Sequence, residues 1–227
     1  MSPLKLIAGI LFPVVIFGGF LFLPAGTLHW WRAWVFIGVV FVATVATMVS
    51  VFADRKDLLN ERFKPLIQKG QPLADKIVVV LFVGPFYGLI IFIPLDVFRF
   101  HLLGQPGAVV SSLGLVLFLA GWLIVSLAFR ENAFAAPVVR HLAERRQIVV
   151  DTGVYGVVRH PMYAGILLLC VGMPLWLESC AAALFAVLPI GVGVLRIFVE
   201  EKFLRRELAG YAAYTQRVRY RLIPFLW

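Results

Sequence analysis

The chain has 227 residues, 62% of them apolar, with a formal net charge of +9 and a mean hydropathy of +0.95. A soluble domain is nearer half apolar. The excess here is gathered into long runs, which excludes an ordinary soluble globule and points to an integral membrane protein. The positive charge does not indicate nucleic acid, because the basic residues lie between apolar runs and in the tail, where they act as topology signals and headgroup contacts.

Six apolar runs follow one another, at about 4–24, 31–53, 77–95, 108–129, 162–177 and 181–199. A helix needs roughly 20 residues to cross about 30 Å of hydrocarbon, so the first four runs are adequate, the fifth is short and the sixth borderline. The first run follows Lys5 and has no A-x-A-like cleavage site, so it reads as a retained helix. Residues 54–76 mix charge with Leu58, Leu59, Phe63, Leu66 and Ile67, a pattern that predicts an interfacial helix on the headgroups. Residues 131–161 form the longest polar connection, of a length characteristic of functional loops.

Glu178 separates the last two runs and predicts a tight hairpin. Its arms are expected to bend at Pro174 and Pro189 and to pack closely through Gly172, Gly191 and Gly193. Cys170 and Cys180 fall in this hairpin without a CxxC or clustered histidines, so they read as small buried side chains and predict neither a metal site nor a disulfide. Helical character continues from Glu200 to Leu208, Gly210 breaks it, and an aromatic, basic tail follows.

Charge sets the expected orientation. With a cytoplasmic N-terminus and six crossings, all 21 basic residues except Arg32 and Arg99 fall on the cytoplasmic side, as the positive-inside rule requires. The expected architecture is an all-α, multi-pass membrane protein of about six transmembrane helices with both termini cytoplasmic. Residues 1–130 form an N-terminal four-helix region and residues 131–227 a C-terminal region that builds a cytoplasmic pocket, the two making one integrated domain.

Ionisable residues gather at one membrane boundary, where they are costly and mark a site. Tyr155, Arg159, His160 and Tyr163 surround Pro161 just before the fifth run, and Arg196, Glu200 and Glu201 end the sixth. Pro161 suits a first helical turn. The amides of that turn, reinforced by the Arg159 fork, suit a carboxylate or phosphate; headgroup anchoring is the plainer alternative. Arg196 and Glu200 are four apart and share a helix face. They form an intrahelical pair at a helix end, or a polar pocket wall opposite Arg159 and His160. Asn132 is a helix-end cap or a pocket residue. Tyr211, Tyr214 and Tyr220 with Arg217, Arg219 and Arg221 are an aromatic belt or a lid. No Ser-His-Asp set, phosphate loop or HExxH motif occurs, so the site is better suited to positioning a charged cofactor than to covalent catalysis.

These residues also resemble a known family. Gly153-x-Tyr155-x-x-x-Arg159-His160-Pro161-x-Tyr163-x-Gly165, Arg196-x-x-x-Glu200-Glu201-x-x-Leu204, Gly210-Tyr211-x-x-Tyr214 and Arg219-x-Arg221-x-x-Pro224 resemble the isoprenylcysteine carboxyl methyltransferases, closest to their prokaryotic branch. Trp34, Asp57-Leu-Leu-x-Glu-Arg62 and Asn132-x-Phe134 extend the likeness more loosely. The resemblance implies S-adenosylmethionine as methyl donor and a lipophilic, membrane-embedded acceptor such as an isoprenylcysteine carboxylate, with no metal. It implies Tyr155, Arg159, His160, Pro161, Tyr163, Glu200, Glu201 and Tyr214 as cofactor-binding residues. Arg196, Glu200 and His160 are the catalytic candidates, Arg196 orienting an anionic acceptor and His160 or a glutamate serving as base for an amine or thiol.

Two rival classes differ in specific ways. A membrane sterol or enone reductase shares a similar tail and would hold NADPH through Arg217, Arg219 and Arg221, yet this chain reads Glu200-Glu201-Lys202 where such reductases carry Arg-Asp and Lys-Tyr-Gly. A transporter or structural membrane protein would place its ionisable residues near the bilayer midplane.

Overall fold

The structure, a computed structural model, describes residues 3–52, 64–68, 70–134 and 148–227. The described residues are all-α. Helix α1 (Pro3–Ala25) leads to α2 (Trp31–Thr47), which runs into a π-helical turn (Met48–Phe52); α3 (Leu73–Leu95) runs into a second (Asp96–Phe100). Then come α4 (Ala108–Glu131), a 3-10 turn (Gly153–Gly156), α5 (Pro161–Trp176), α6 (Cys180–Phe185), α7 (Val187–Glu207) and α8 (Tyr211–Arg217).

Five stretches are long and apolar enough to cross a membrane: Ile7–Ala25, Trp31–Phe52, Leu73–Phe100, Ala108–Glu131 and Cys180–Glu207. The expected six runs are thus all helical, but α5, at 16 residues, is shorter and spans only about 24 Å at 1.5 Å per residue. The sixth run is not borderline, since α6 and α7 together reach 28 residues. They break at Ala186 because Pro189 has no N–H for the Phe185 carbonyl and its ring crowds that oxygen.

The hairpin expectation holds for the turn and fails for the packing. Leu177–Ser179 is the whole connection; Glu178 takes a left-handed φ of 68°, and the Ser179 hydroxyl caps α6 by accepting from the Ala182 N–H at 2.9 Å. The arms then diverge: α5 lies along α4, and α7 along α3. They meet near the C-terminal tail through Tyr163, Leu167, Val194 and Ile197.

The reason is where close approach is possible. A Cβ on Gly172 would lie 2.5 Å from the Gly114 carbonyl oxygen, and one on Gly121 would lie 2.6 Å from that of Gly165. Two glycine pairs thus set α4 and α5 backbone to backbone, as small residues allow in membranes. Gly191 has no atom within 4 Å of its would-be Cβ, and Gly193 meets only the Phe82 ring at 3.8 Å. Of the three glycines expected to tighten the hairpin, only Gly172 makes a close contact, and it does so with α4.

Of the expected interfacial helix over 54–76, residues 54–63 and 69 lie outside the described residues, the Asp57–Arg62 segment with them, and 73–76 belong to α3. The remainder, 64–68 and 70–72, is irregular, because Pro65, a left-handed Gly70 (φ 78°) and Pro72 interrupt any helix before α3.

Contacts at the two ends show an up-and-down order. At one end the Arg32 guanidinium lies between the Trp31 and Trp176 rings, 4.9 and 4.8 Å from their centroids, and pairs with Glu178 at 3.0 Å. Beside it, the Ser179 hydroxyl donates to buried Asp96 at 2.6 Å. At the other end Asp75 meets Arg196, Thr152 meets Glu131, and Arg159 meets Glu201. Arg32 and Arg99 therefore sit at the end opposite the site and the tail. Cys170 is buried, Cys180 is partly buried, and both are free thiols.

An apolar cavity of about 240 Å³ lies between α1, α3, α4 and α5, lined by Phe12, Phe17, Tyr87, Phe118, Trp122 and Met173 among others. None of the candidate site residues lines it.

Candidate functional site

The site begins where the chain enters α5. Gly153 turns with φ 54°, and a Cβ there would lie 2.6 Å from the Glu131 carboxyl carbon, so only glycine fits the turn under Glu131. Thr152 Oγ1 donates to Glu131 Oε2 at 3.0 Å and fixes the same corner to the end of α4. Asn132 caps α4 and accepts from the Phe134 N–H at 2.8 Å, and its side chain lies near the Tyr155 phenol. It is both the helix-end cap and a neighbour of the site.

Pro161 is the first residue of α5, with His160 as its N-cap. The Arg159 and His160 N–H groups donate to the Tyr220 and Arg221 carbonyls, each at 2.9 Å. The tail is therefore strapped across the start of α5. Arg159 completes the strap: its Nη1 donates to the Val218 and Arg219 carbonyls, both at 2.8 Å, and its Nε to Glu201 Oε1 at 2.8 Å. These bonds direct the guanidinium to the tail and to Glu201.

Glu201 is the hub of the cluster. Besides Arg159 it meets His160 Nε2 at 3.3 Å through Oε1 and Arg221 Nε at 3.2 Å through Oε2. Arg221 is itself held over the Phe198 and Trp227 rings, each 5.4 Å from its guanidinium carbon. One carboxylate with 4% exposure thus gathers three basic side chains from two segments of the chain, which offsets the cost of burying it.

Glu200, half-buried, takes the adjacent direction. It accepts from the Tyr163 hydroxyl at 2.7 Å. The His160 and Tyr163 rings stand edge to face at 5.7 Å. Arg196, one helical turn earlier, donates from Nε to Asp75 Oδ1 at 3.2 Å, and Glu200 and Tyr163 lie within its electrostatic reach. Asp75 is fully buried in the first turn of α3 and accepts from Gln71 Nε2 at 2.7 Å. The partner of Arg196 thus includes a residue on another helix, which neither the intrahelical pair nor the simple pocket wall anticipated.

Tyr155 and Tyr214 serve the frame. The Tyr214 hydroxyl donates to the Tyr155 carbonyl at 2.8 Å. Burial pushes both phenols well above the usual tyrosine value, so they stay neutral. Arg217 pairs at the surface with Asp151 at 2.6 Å.

The structure therefore brings Arg159, His160, Pro161, Tyr163, Arg196, Glu200 and Glu201 to one boundary, with Tyr155 and Tyr214 beside them. Asp75 and Gln71 were not anticipated. The available signal was an arginine inside an apolar run, which needs a counter-charge, and an acid two residues before the third run. Among the described residues, no cluster of His, Cys, Asp and Glu has metal-holding geometry.

Residues 109–210 match a family model described as phospholipid methyltransferase. No curated protein matches the chain. The matched stretch covers most of α4, all of α5, α6 and α7, and the Gly210 turn, and so contains Tyr155, Arg159, His160, Tyr163, Arg196, Glu200 and Glu201; Tyr214 and the tail lie beyond it. The chain is similar there to a membrane methyltransferase family, and the match does not single out the isoprenylcysteine carboxyl branch.

Proposed function

We propose that the protein transfers a methyl group from S-adenosylmethionine to a lipophilic acceptor at the membrane boundary. The observation that carries the reading is Glu200. It is a half-buried carboxylate held by Tyr163, beside a second carboxylate already engaged by Arg159, His160 and Arg221, and it lies inside the segment that resembles a methyltransferase family. A sulfonium is favoured by such a carboxylate and by the neighbouring aromatic faces, so the residues present fit the donor. Residues 131–227 would form the cofactor-binding part, with α1 to α4 as the membrane frame.

When bound, S-adenosylmethionine supplies an activated methyl group. The chain's own residues hold and orient: Tyr163 fixes the Glu200 carboxylate, Arg159 and Glu201 hold the tail over the start of α5, and burial keeps Tyr155 and Tyr214 neutral. Such positioning accounts for most of what an in-line displacement needs.

Arg196 is turned toward Asp75, which suits it less to orienting an anionic acceptor such as the isoprenylcysteine carboxylate. The phospholipid methyltransferase likeness supports a lipid amine. His160 and Glu200 are then the groups available to take a proton.

Calorimetric titration of the purified protein in detergent with S-adenosylhomocysteine and, separately, NADPH tests the donor. Binding of the first alone is expected. Binding of NADPH alone would assign the tail arginines to a reductase, and binding of neither would end the enzymatic reading.

The proposed orientation has both termini in the cytoplasm, because the site end carries the basic residues. A reporter fused after Trp227 is expected to be active there; a signal from the opposite side would reverse the topology.

A further inference from the structure

Among the described residues, three buried side-chain polar atoms lack a hydrogen-bond partner: Trp30 Nε1, Thr44 Oγ1 and the Tyr211 hydroxyl. Trp30 precedes α2 and Thr44 lies within it, whereas Tyr211 follows α7 with its ring against Tyr214, beside the candidate site. Gly210 takes φ 83°, a left-handed turn that starts α8 at Tyr211 and folds the ring back against Tyr214, with centroids 5.7 Å apart. The residue is 4% exposed, and Leu208, Val218 and Leu204 pack around it.

The charged groups within electrostatic reach of its hydroxyl are Glu201, Glu200 and Arg159. Glu201 is engaged by Arg159, His160 and Arg221, and Glu200 by Tyr163. The Tyr211 hydroxyl bonds none of them. Leaving a buried hydroxyl unmade is costly, and phenylalanine would fill the same space without that cost. Tyr214, one turn on, shows the contrast, since its hydroxyl is engaged by the Tyr155 carbonyl.

We propose that the Tyr211 hydroxyl is a ligand-binding donor of this site, reserved for a neutral hydrogen-bond acceptor on the adenosine part of the methyl donor. The inference rests on the donor reading above. Glu200 and Glu201 nearby disfavour an anionic acceptor such as the donor's own carboxylate, whereas ribose and purine atoms are neutral. The roles of the two tail tyrosines are thereby exchanged relative to the sequence reading: Tyr214 builds the frame and Tyr211 touches the ligand.

The test is Tyr211→Phe, titrated calorimetrically with S-adenosylhomocysteine and with 5′-methylthioadenosine, which lacks the amino-acid end. Both dissociation constants are expected to rise about tenfold, the loss of one neutral hydrogen bond. The thermal midpoint of the ligand-free protein should stay level or rise. Tyr214→Phe, by contrast, should lower that midpoint. Unchanged affinity for both probes in Tyr211→Phe, with normal wild-type binding, overturns the assignment and leaves the donor reading standing. A loss confined to S-adenosylhomocysteine moves the contact to the amino-acid end and also overturns it. Absence of wild-type binding to either probe removes the donor reading and this assignment together.

Discussion

Glu201→Ala is expected to destabilise the protein by about 3–5 kcal/mol, because it strands the buried Arg159 cation rather than simply deleting an ion pair. The Arg159 side chain is 4% exposed, and His160 and Arg221 converge on the same carboxylate. Removing that charge also weakens the hold of Arg159 on the Val218 and Arg219 carbonyls. The tail should then detach from the start of α5. The measurement is the thermal midpoint in detergent, together with the rate of tryptic cleavage at Arg217, Arg219 and Arg221. A lower midpoint and faster cleavage are expected, with Glu201→Gln in between, since it retains shape and loses charge. Wild-type values for both would mean that the three basic groups do not depend on Glu201. Loss of ligand binding in Glu201 variants is therefore ambiguous, and Tyr211→Phe is the cleaner probe of the pocket.

Asp75→Ala carries the second large effect. Asp75 is fully buried, and the Arg196 side chain is 13% exposed. The pair joins the first turn of α3 to α7 from sequence positions 121 apart. Deleting the acid removes a counter-charge from an arginine at a membrane boundary. We expect a loss of about 3 kcal/mol, the lower end of the range for a broken buried pair, because Glu200 stays within reach of Arg196. Replacing both partners, as in Asp75→Ala with Arg196→Met, should restore much of the loss, since neither member of the pair is then left without the other. A double-mutant cycle reads the coupling. Strictly additive losses would show that the two side chains stand near each other without interacting.

Much of the site was legible because its parts are local. The spacing in Arg159-His160-Pro161 places a proline at a helix start, where its missing N–H is harmless, and Pro161 does begin α5. The run of Glu200 and Glu201 after an apolar stretch marks a boundary, and the structure sets it opposite the start of α5. What the pattern does not contain is the assignment of partners. Glu200 and Glu201 are neighbours in sequence and point in successive directions around a helix. One meets Tyr163 and the other Arg159, His160 and Arg221. Arg159, suited by its fork to an external anion, is committed to the tail carbonyls. Glycines misled in the same way. All of them permit close packing, but only those that face a neighbouring backbone use it, so Gly114, Gly121, Gly165 and Gly172 matter while Gly191 does not.

By itself the sequence determined that this is an all-α chain with helices long and apolar enough for a membrane, and that the ionisable residues of its motifs collect at one boundary. Hydrocarbon imposes those features residue by residue, through length, apolar composition and the cost of charge. The tertiary structure alone decided that α5 pairs with α4 and α7 with α3, that Asp75 answers Arg196, and that the buried Tyr211 hydroxyl keeps an unmade hydrogen bond. Those facts depend on which surfaces meet, from Gly121 against Gly165 to Asp75 against Arg196, and a helical period carries no record of its partner.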